Sequence, residues 1–561
     1  GKDGGRTVLI SGCIDTQKVH ISSAIASGYK YMLIVTSDEA KARKMCDDAS
    51  FFNKEAIYYP AKDAIFYSAD VHGNQITGER LRCISRIINH SSTGEGVLTV
   101  VTTMDGIADR LIPVERFKEA VITLDYSSEI EPEKLAKKLV AMGFVRTGMV
   151  EDKGQFAIRG GIIDIFSYTD EAPVRIELWD TEVDSIRMFD VESQRSIERL
   201  QSYSIFPATE YIFTEDELKN GLYNIKEECD RQLECFDYGK RKRTKEQIEA
   251  GNNLNKLVAD VERTGNYEKF TDTLVADTVG LAEYFPEENT LVVLDEPNRL
   301  KECNELTLYE YNESMKNRLA AGYVLPSQTN KVKAMNEIIG DLRNNKKLIL
   351  TTLDYKPEGF EIDYSMYITA RSISSYNNSF EYLAKDLEKY KKNGYTTILV
   401  CSSRTRALRI VDDLGKLGIA SFYSEDFNKD YGSGLIIVTY GSLHKGFEYP
   451  VLSFVVIAEN DIFSARKMKK LKKKKHDGKN IASFNELNIG DYVVHESHGL
   501  GVYKGIEKIQ VEGVEKDYIK IAYANNGNLY VLATQLDRLQ KYANQDTEKK
   551  PKLNSLGGVG W

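Results

Sequence analysis

Short apolar runs of strand length alternate with helix-like stretches at the start of the chain. The first runs lie at residues 7–11, 31–35 and 97–102, with mixed polar and apolar sequence between them. Strands that alternate with helical stretches are typical of a parallel sheet whose crossover connections are helices. The pattern therefore predicts an α/β domain whose first part covers residues 1–120.

The pattern changes near residue 120. Leu135, Leu139 and Met142 fall on one face of a predicted helix, and four alternating strands follow. We predict these strands at residues 155–159, 162–166, 174–179 and 183–189. Together they indicate a small α+β domain, residues 121–207, inserted into the α/β domain, which resumes at residues 208–362.

Residues 363–462 show the α/β pattern again and predict a second α/β domain, whose role the sequence does not indicate. A Lys-rich stretch follows at residues 463–484, and residues 466–475 within it hold eight Lys and Arg. A charge run of this kind is typical of a solvated linker. The fold class is therefore a multidomain α/β protein up to this point.

The last part of the chain has a different pattern. Residues 485–543 carry short β-like runs separated by Gly and Asn, and the Asn-Asn-Gly-Asn stretch at 525–528 predicts a hairpin turn. Strands this short and closely spaced are typical of a small barrel of SH3 or Tudor type. We predict that a short helix ending at Tyr542 completes it, before a tail at residues 544–561.

Composition narrows the function classes. The net charge of −9 argues against a protein built around a nucleic-acid groove, which normally has a basic footprint. The seven cysteines form no C-x-x-C pair, which favours free thiols in a reducing compartment. No apolar run is long enough to span a membrane. We predict a soluble, cytoplasmic protein without a metal site, since the spacing of His495 and His498 alone is typical of a turn.

A strand, a glycine and then a helix near the start of the chain raise the possibility of a nucleotide site. A working phosphate loop reads G-x-x-x-x-G-K-[ST], because its glycines bring backbone N–H groups to the phosphates and its hydroxyl holds magnesium. Here Gly12 and Lys18 remain, but Gln17 replaces the second glycine and Val19 replaces the hydroxyl residue. We therefore predict a degenerate, P-loop-like site that binds no ATP.

Asp295 and Glu296 follow an apolar strand, as the acidic residues of an ATPase strand do. Without a competent loop to pair with, a structural role such as capping the next turn is the better interpretation. No G-x-S-x-G or H-E-x-x-H motif is present either. The sequence therefore predicts no catalysis.

Two surfaces are candidates for binding. In residues 174–179, alternation places Arg175 and Trp179 on the face opposite the core, and Arg159 faces the same way in its strand. An exposed sheet face with two arginines and a tryptophan has the composition of a protein-interaction site. The alternative is that Trp179 belongs to the core and the arginines are only solvated, and alternation alone does not decide between them.

The second candidate surface lies in the C-terminal domain. Alternation places Ile519 and Ile521 on one face of a strand, and Tyr518 and Lys520 on the other. Residues 485–543 hold six Lys and Arg against eight Asp and Glu, which disfavours nucleic acid. This leaves protein recognition, for instance by strand addition at an open edge, or a barrel with a purely structural role.

Several of these segments resemble a known family. RGGIIDIF at 159–166, PVRIEL at 173–178 and DSIRMFD at 184–190 resemble the UvrB-homology module of the bacterial transcription-repair coupling factor (Mfd) family. GDYVVH at 490–495 and DYIKI at 517–521 resemble its RNA polymerase-interacting domain, which is CarD-like. The resemblance covers essentially the whole chain and corresponds to the N-terminal, non-motor part of the family.

The resemblance implies specific roles. The divided α/β domain would correspond to the first domain of UvrB with decayed ATPase motifs, and the insert to its UvrA-binding domain. Arg159, Arg175 and Trp179 match the family's UvrA-contact positions, with Trp where Phe is common. The C-terminal domain would bind the RNA polymerase β subunit. Its contact strand would carry the residues Tyr518, Ile519, Lys520 and Ile521.

The resemblance also implies what this chain lacks. The family's double-stranded DNA translocase would follow Trp561, together with the C-terminal domain that masks the UvrA surface. ATP, Mg²⁺ and most DNA contacts would belong to those domains. We therefore expect an adaptor without catalysis, cofactor or membrane contact that binds UvrA constitutively. The alternative is an active UvrB-like helicase or damage-recognition ATPase. A CarD-like transcription regulator would explain only the barrel.

Overall fold

The computed structural model describes residues 6–62, 64, 73–237, 243–426, 431–463, 478–480, 487–495, 498–511, 514–524, 527–533, 539–542 and 553. Within these residues the chain forms five sheets, of seven, six, two, six and six strands. The multidomain α/β fold class is thus confirmed.

The first part of the first α/β unit precedes the insert. Its strands are β1 (Thr7–Ser11), β2 (Tyr31–Thr36), β3 (Glu55–Tyr59) and β4 (Leu98–Thr103). Its helices are α1 (Asp15–Ala26), α2 (Glu39–Asn53), α3 (Gly73–Thr93), α4 (Met104–Ile107) and α5 (Val114–Ala120). Every residue of β2 and β4 is buried, because helices cover both faces of the parallel sheet.

The insert begins with β5 (Ile122–Asp125) and returns through β12 (Ser202–Ile205), and the two strands pair antiparallel. Between them lie α6, Pro132–Ala141, and six further strands. These are β6 (Val145–Arg146), β7 (Gln155–Arg159), β8 (Ile162–Phe166), β9 (Val174–Trp179), β10 (Glu182–Phe189) and β11 (Ser196–Arg199), in the spatial order β11-β10-β9-β8-β7-β6. Leu135 and Leu139 of α6 pack on one face of this sheet, and a smaller cluster of Val150, Ala157 and Phe166 covers part of the other face.

After the insert the chain completes the first sheet. The helices are α7 (Glu215–Asp237), α8 (Lys245–Thr264), α9 (Thr271–Leu274), α10 (Pro297–Ala320) and α11 (Met335–Asp341). The strands are β13 (Thr290–Asp295), β14 (Lys346–Thr351) and β15 (Tyr364–Tyr367). The sheet order is β15-β1-β14-β13-β2-β4-β3, and all neighbours are parallel, so strands from before and after the insert share one sheet.

A second α/β unit follows. Its strands are β16 (Arg371–Ser372), β17 (Thr396–Cys401), β18 (Phe422–Tyr423), β19 (Ile436–Tyr440), β20 (Phe447–Tyr449) and β21 (Phe454–Ala458). Its helices are α12 (Phe380–Lys392), α13 (Arg404–Lys416) and α14 (Glu459–Ile462). β17 lies between β19 and β21 and is parallel to both.

The C-terminal part is an antiparallel sheet in the order β22-β27-β23-β24-β25-β26. Its strands are β22 (Gly478–Asn480), β23 (Tyr492–His495), β24 (Gly499–Val511), β25 (Val514–Ala522), β26 (Asn528–Leu532) and β27 (Leu539–Tyr542). The predicted hairpin joins β25 to β26, and Tyr523 N–H donates to the Gly527 carbonyl within it. The Lys-rich run at 466–475 and, apart from Leu553, the tail at 544–561 lie outside the described residues.

The predicted helix ending at Tyr542 is wrong. The structure places β27 there, paired with β22 on one side and β23 on the other. Local sequence favoured a helix, but pairing with two neighbouring strands decides the conformation of such a short segment. No helix in the described parts of the chain is long and apolar enough to cross a membrane.

Candidate protein-binding surfaces and the altered nucleotide site

The face of the insert's sheet opposite α6 carries Arg159, Arg175 and Trp179. Trp179 is 80% exposed, which excludes the interpretation that it belongs to the core. Asp164 of β8 pairs in register with Arg175 of β9, and Ile162 pairs with Arg159 of β7, so the two arginines project from strands on either side of β8. The structure therefore brings the three predicted residues together on one face.

A buried carboxylate holds the two arginines. Asp164 is 1% exposed and accepts hydrogen bonds from Arg175 Nε at 2.7 Å and from Arg159 Nη2 at 2.8 Å. Arg175 also lies over the Phe189 ring at 4.3 Å and donates to Gln194 Oε1 at 2.8 Å. The hydrogen bond to Asp164 raises the pKa of Arg175 above its ordinary value. The result is a positioned pair of cations on the face that also carries the exposed Trp179.

Two further arginines extend this surface. Arg187 of β10 pairs in register with Arg175 on one side and with Arg199 of β11 on the other. Arg187 donates to Glu177 at 2.5 Å, whereas Arg199 is exposed. Period-two counting does not reveal Arg187, because a bulge between Val183 and Ser185 shifts the alternation along β10. Arg199 lies on β11, a strand that the sequence pattern did not predict.

The predicted contact strand of the C-terminal sheet is an interior strand. Ile519 and Ile521 are fully buried in the core, and Lys520 is partly exposed and ion-paired with Glu507 at 2.9 Å. Tyr518, which alternation places on the same face as Lys520, is only 3% exposed. The strand is covered on both faces at that point. Alternation shows which face a side chain is on, but not whether that face is covered.

The edge of this sheet lies elsewhere. β25 pairs with β24 on one side and β26 on the other, so it has no open backbone edge. Among the residues that the structure describes, β26 pairs only with β25. A partner that adds a strand at this end of the sheet would therefore meet β26, while Lys520 lies 5.6 Å from the Tyr530 ring on that strand.

The predicted altered nucleotide site, residues 12–19, is closed by residues of this chain. Lys18 is 3% exposed, and its Nζ lies 2.7 Å from Asp295 Oδ1 and 2.8 Å from Glu296 Oε1. Lys41 and Thr36 also contact the Asp295 carboxylate. Burial alone raises the pKa of Asp295, but Lys18 and Lys41 more than offset this and hold it below its ordinary value.

This arrangement defines the structural role of Asp295. The sequence favours a structural role for Asp295 and Glu296, such as capping the next turn. Asp295 ends a strand whose carboxyl end lies at the same sheet edge as that of β1, and its contact there is a buried ion pair with Lys18. The N-cap of α10 is Glu296, and its side chain makes no capping hydrogen bond. Asp295 thus has a structural role, which is to form an ion pair rather than to cap a turn.

The space in front of the loop is also filled. Gly12 has a φ of +83°, and a Cβ at this position would lie 2.1 Å from the Ile368 carbonyl oxygen. Gln17 accepts from the Ile14 N–H at 3.0 Å, and its amide group donates to Tyr449 Oη at 3.1 Å. A phosphate site also needs a free lysine, and Lys18 is held by Asp295 and Glu296.

A network around Arg80 lies at the carboxyl ends of β3 and β4. Arg80 is fully buried and donates to Glu210 Oε1 at 2.7 Å, to Asp109 Oδ2 at 2.8 Å and to the Pro60 carbonyl at 3.0 Å. Lys62 pairs with the other Glu210 oxygen at 2.6 Å. Asp109, Glu210 and Lys62 line a cavity of about 440 Å³. The network connects α3 to the chain just after the insert.

Comparison with known proteins gives two matched domains and several relatives. A family model described as UvrB interaction domain matches residues 122–211, and one described as CarD-like/TRCF RID domain matches residues 487–543. The transcription-repair-coupling factor of Bacillus subtilis (strain 168) is 32% identical over 573 residues, covering 100% of this chain and 47% of that protein. The chain is homologous to the N-terminal part of transcription-repair-coupling factors.

Other coupling factors match this chain with similar identity and coverage. Those of Staphylococcus haemolyticus (strain JCSC1435) and Staphylococcus aureus (strain MRSA252) are 30% and 29% identical over 566 and 565 residues, with the same coverage of 100% and 47%. The chain thus spans about half the length of each coupling factor that it matches. Arg159, Arg175 and Trp179 lie within the UvrB interaction domain, and residues 518–521 lie within the CarD-like/TRCF RID domain.

Proposed function

We propose that this chain is the adaptor part of a transcription-repair-coupling factor. It recruits UvrA of nucleotide excision repair through the insert and binds the RNA polymerase β subunit through the C-terminal sheet, at stalled transcription complexes in the cytoplasm. The observation that carries the proposal is the surface of Arg159, Arg175 and Trp179, which lies within the matched UvrB interaction domain. The chain itself has no catalytic activity.

The chemistry of this surface suits protein recognition. Arginine and tryptophan are enriched among the residues that dominate binding free energies, because they combine a large apolar area with directed polar groups. Asp164 fixes both guanidinium groups before binding, so less side-chain entropy is lost when a partner docks. The second arginine pair, Arg187 and Arg199, extends the positive row and favours an acidic partner surface.

The Arg159→Ala, Arg175→Ala double variant tests the UvrA surface. We expect its affinity for UvrA to fall at least about thirtyfold, or about 2 kcal/mol, because both anchoring cations are removed. The measurement is a titration of purified chain with UvrA, with the fold checked by circular dichroism. Arg146→Ala, Lys134→Ala is the matched control, since it removes two exposed charges from α6 and β6, away from this surface.

Each outcome of the titration is informative. A loss in the double variant but not in the control supports the adaptor function and its surface. Tight binding by both variants would show that the UvrA site lies elsewhere on the chain. If the unaltered chain does not bind UvrA, the proposed recruitment is wrong.

For the polymerase, we propose strand addition at β26. In an antiparallel pair, the N–H groups of successive residues point alternately toward the paired strand and away from it. The hydrogen bond from the Tyr523 N–H to the Gly527 carbonyl shows which residues of β26 point toward β25. This alternation directs the N–H groups of Asn528, Tyr530 and Leu532 outward, where a partner strand could accept them. Lys520, which lies beside Tyr530, would then be the exposed side chain of the predicted contact residues.

Proline at position 530 tests this geometry. Tyr530→Pro removes an outward N–H group while keeping the bonds to β25, and proline is tolerated on edge strands for that reason. We expect binding to the isolated polymerase β subunit to weaken about tenfold or more, because a ladder hydrogen bond is lost. Tyr530→Ala is the control for the side chain, and an equal loss in both variants would argue against strand addition.

Catalysis in the whole protein would belong to other domains. We propose that ATP, Mg²⁺ and most DNA contacts are used by a translocase present in the full-length protein, and not by residues 12–19 of this chain. The buried ion pair of Lys18 and the filled space at Gly12 support this. The alternative, an active UvrB-like ATPase, would require Lys18 to be free for a phosphate.

A further inference from the structure

The second α/β unit packs against the altered nucleotide site of the first. Tyr449 of β20 is the central contact, because its Oη accepts from Gln17 Nε2 at 3.1 Å and lies 2.9 Å from His20 Nδ1. Both partners belong to α1, the helix that follows the altered loop. Gln17 and Tyr449 are separated by 432 positions in the sequence, so only the tertiary fold joins them.

Aromatic rings surround His20 at this contact. Its ring centroid lies 5.2 Å from that of Phe52 on α2. The centroids of Phe447, Tyr449 and Phe454, from the second unit, lie 5.0, 5.6 and 6.1 Å away. Burial lowers the pKa of His20 to about 4, so the imidazole is neutral at physiological pH and its Nδ1 can accept from the tyrosine hydroxyl.

A second polar contact lies beside the rings. Asp48 of α2 is 3% exposed and accepts from Thr16 within its own unit at 3.0 Å. Its other oxygen accepts from the backbone N–H of His444 at 2.9 Å and lies 3.0 Å from His444 Nδ1. The hydrogen bond to Asp48 raises the pKa of His444, so the imidazole is more often protonated and the pairing is charge-assisted.

We infer that these contacts form a permanent latch that has taken the place of nucleotide binding. The latch comprises Gln17, His20, Asp48, His444 and Tyr449. It gives residues 363–462 a function, which is to dock on the former nucleotide face and make the two α/β units a single rigid body. The inference concerns this intramolecular contact and does not depend on which partners the chain binds.

The identity of residue 17 connects the loss of phosphate binding with the docking of the second unit. Glycine at this position, as in a working phosphate loop, has no side chain to contact the second unit. Glutamine blocks the loop, accepts from the Ile14 N–H and reaches Tyr449. The same substitution therefore removes phosphate binding and creates a contact of the latch. Because both ends of this bond are buried, breaking one end leaves the other unsatisfied.

Hydrogen–deuterium exchange on the whole chain tests the latch. In Tyr449→Phe, we expect exchange in α1 and in residues 441–449 to rise about tenfold, since the hydroxyl holds two buried polar partners. Gly441→Ala is a second variant that should disturb the contact between the two units, because its Cβ would lie 2.2 Å from the Phe51 ring. Adding Phe51→Ala to this variant should restore slow exchange.

Gly415→Ala is the matched control. It lies in α13 of the same unit, and a Cβ there meets no atom within 4 Å, so exchange should not change. Exchange in β2 and β17, which lie in the cores of the two units, reports whether each variant is still folded. Equal exchange at α1 and 441–449 in the unaltered chain and Tyr449→Phe would overturn the inference. So would protection of residues 12–19, or opening of the latch, by millimolar Mg-ATP.

Discussion

Replacing Lys18 by methionine is expected to destabilise the first α/β unit by about 3 kcal/mol. No ATPase activity should be lost, because we propose that this chain has none. The ammonium group is the main partner of Asp295, whose side chain is fully buried at the end of β13. Removing one member of a buried ion pair leaves the other charge without compensation, and this costs more than the pair contributes. Lys41 and Thr36 still contact Asp295, so we expect the lower end of the usual range.

Urea unfolding measures this effect, with hydrogen exchange in β1 and β13 used to assign the transition to the first unit. Lys41→Met is the matched control, because its side chain is 41% exposed and its pairing with Asp295 should contribute less than about 1 kcal/mol. The Lys18→Met, Asp295→Asn double variant should recover part of the loss. An ATPase activity that disappears with Lys18 would instead establish the UvrB-like enzyme.

Replacing Arg80 by methionine should have the largest effect on stability, about 4 kcal/mol. The guanidinium group is fully buried and compensates Glu210 and Asp109, and it also lies 4.5 Å from the Tyr59 ring. Methionine fills much of the same volume, so the loss reports the missing charge and hydrogen bonds rather than a cavity. Lys62 remains on Glu210 and limits the damage there.

The position of Glu210 gives this variant a second readout. Glu210 follows the insert directly, so losing its ion pair should speed exchange at β12 and at the start of α7 as well as in α3. Arg86→Met on the same helix is the control, because Arg86 is 49% exposed and its ion pair among the described residues is with Glu55, which is partly exposed. Comparable destabilisation by Arg80→Met and Arg86→Met would show that burial of the charge is not what matters.

Much of the architecture follows from local pattern. The buried strands β1, β2 and β4 are short apolar runs, and the insert's strands follow period-two alternation closely enough to place Arg159, Arg175 and Trp179 on one face. These features depend on residues that are neighbours in sequence or on adjacent strands. Pattern could not decide whether Trp179 was exposed, because exposure depends on whether another layer covers the face.

The features that sequence could not predict depend on distant residues. Tyr449 contacts α1 across 432 positions, and no local property of β20 indicates that its tyrosine closes another unit's loop. The bulge in β10 hides Arg187 from alternation, and pairing with two strands overrides the helical pattern at 539–542. Each case is a tertiary contact that outweighs a local preference.

The antiparallel pairing of β5 and β12 makes the insert a detachable module. Ile122 pairs with Ile205, so the chain enters and leaves the domain at adjacent points, about 5 Å apart. A short turn could therefore close the first α/β unit without the insert, and all seven strands of its sheet would remain. Conversely, the insert could be transplanted into a surface loop of an unrelated protein and carry its arginine and tryptophan surface there, since its core is its own.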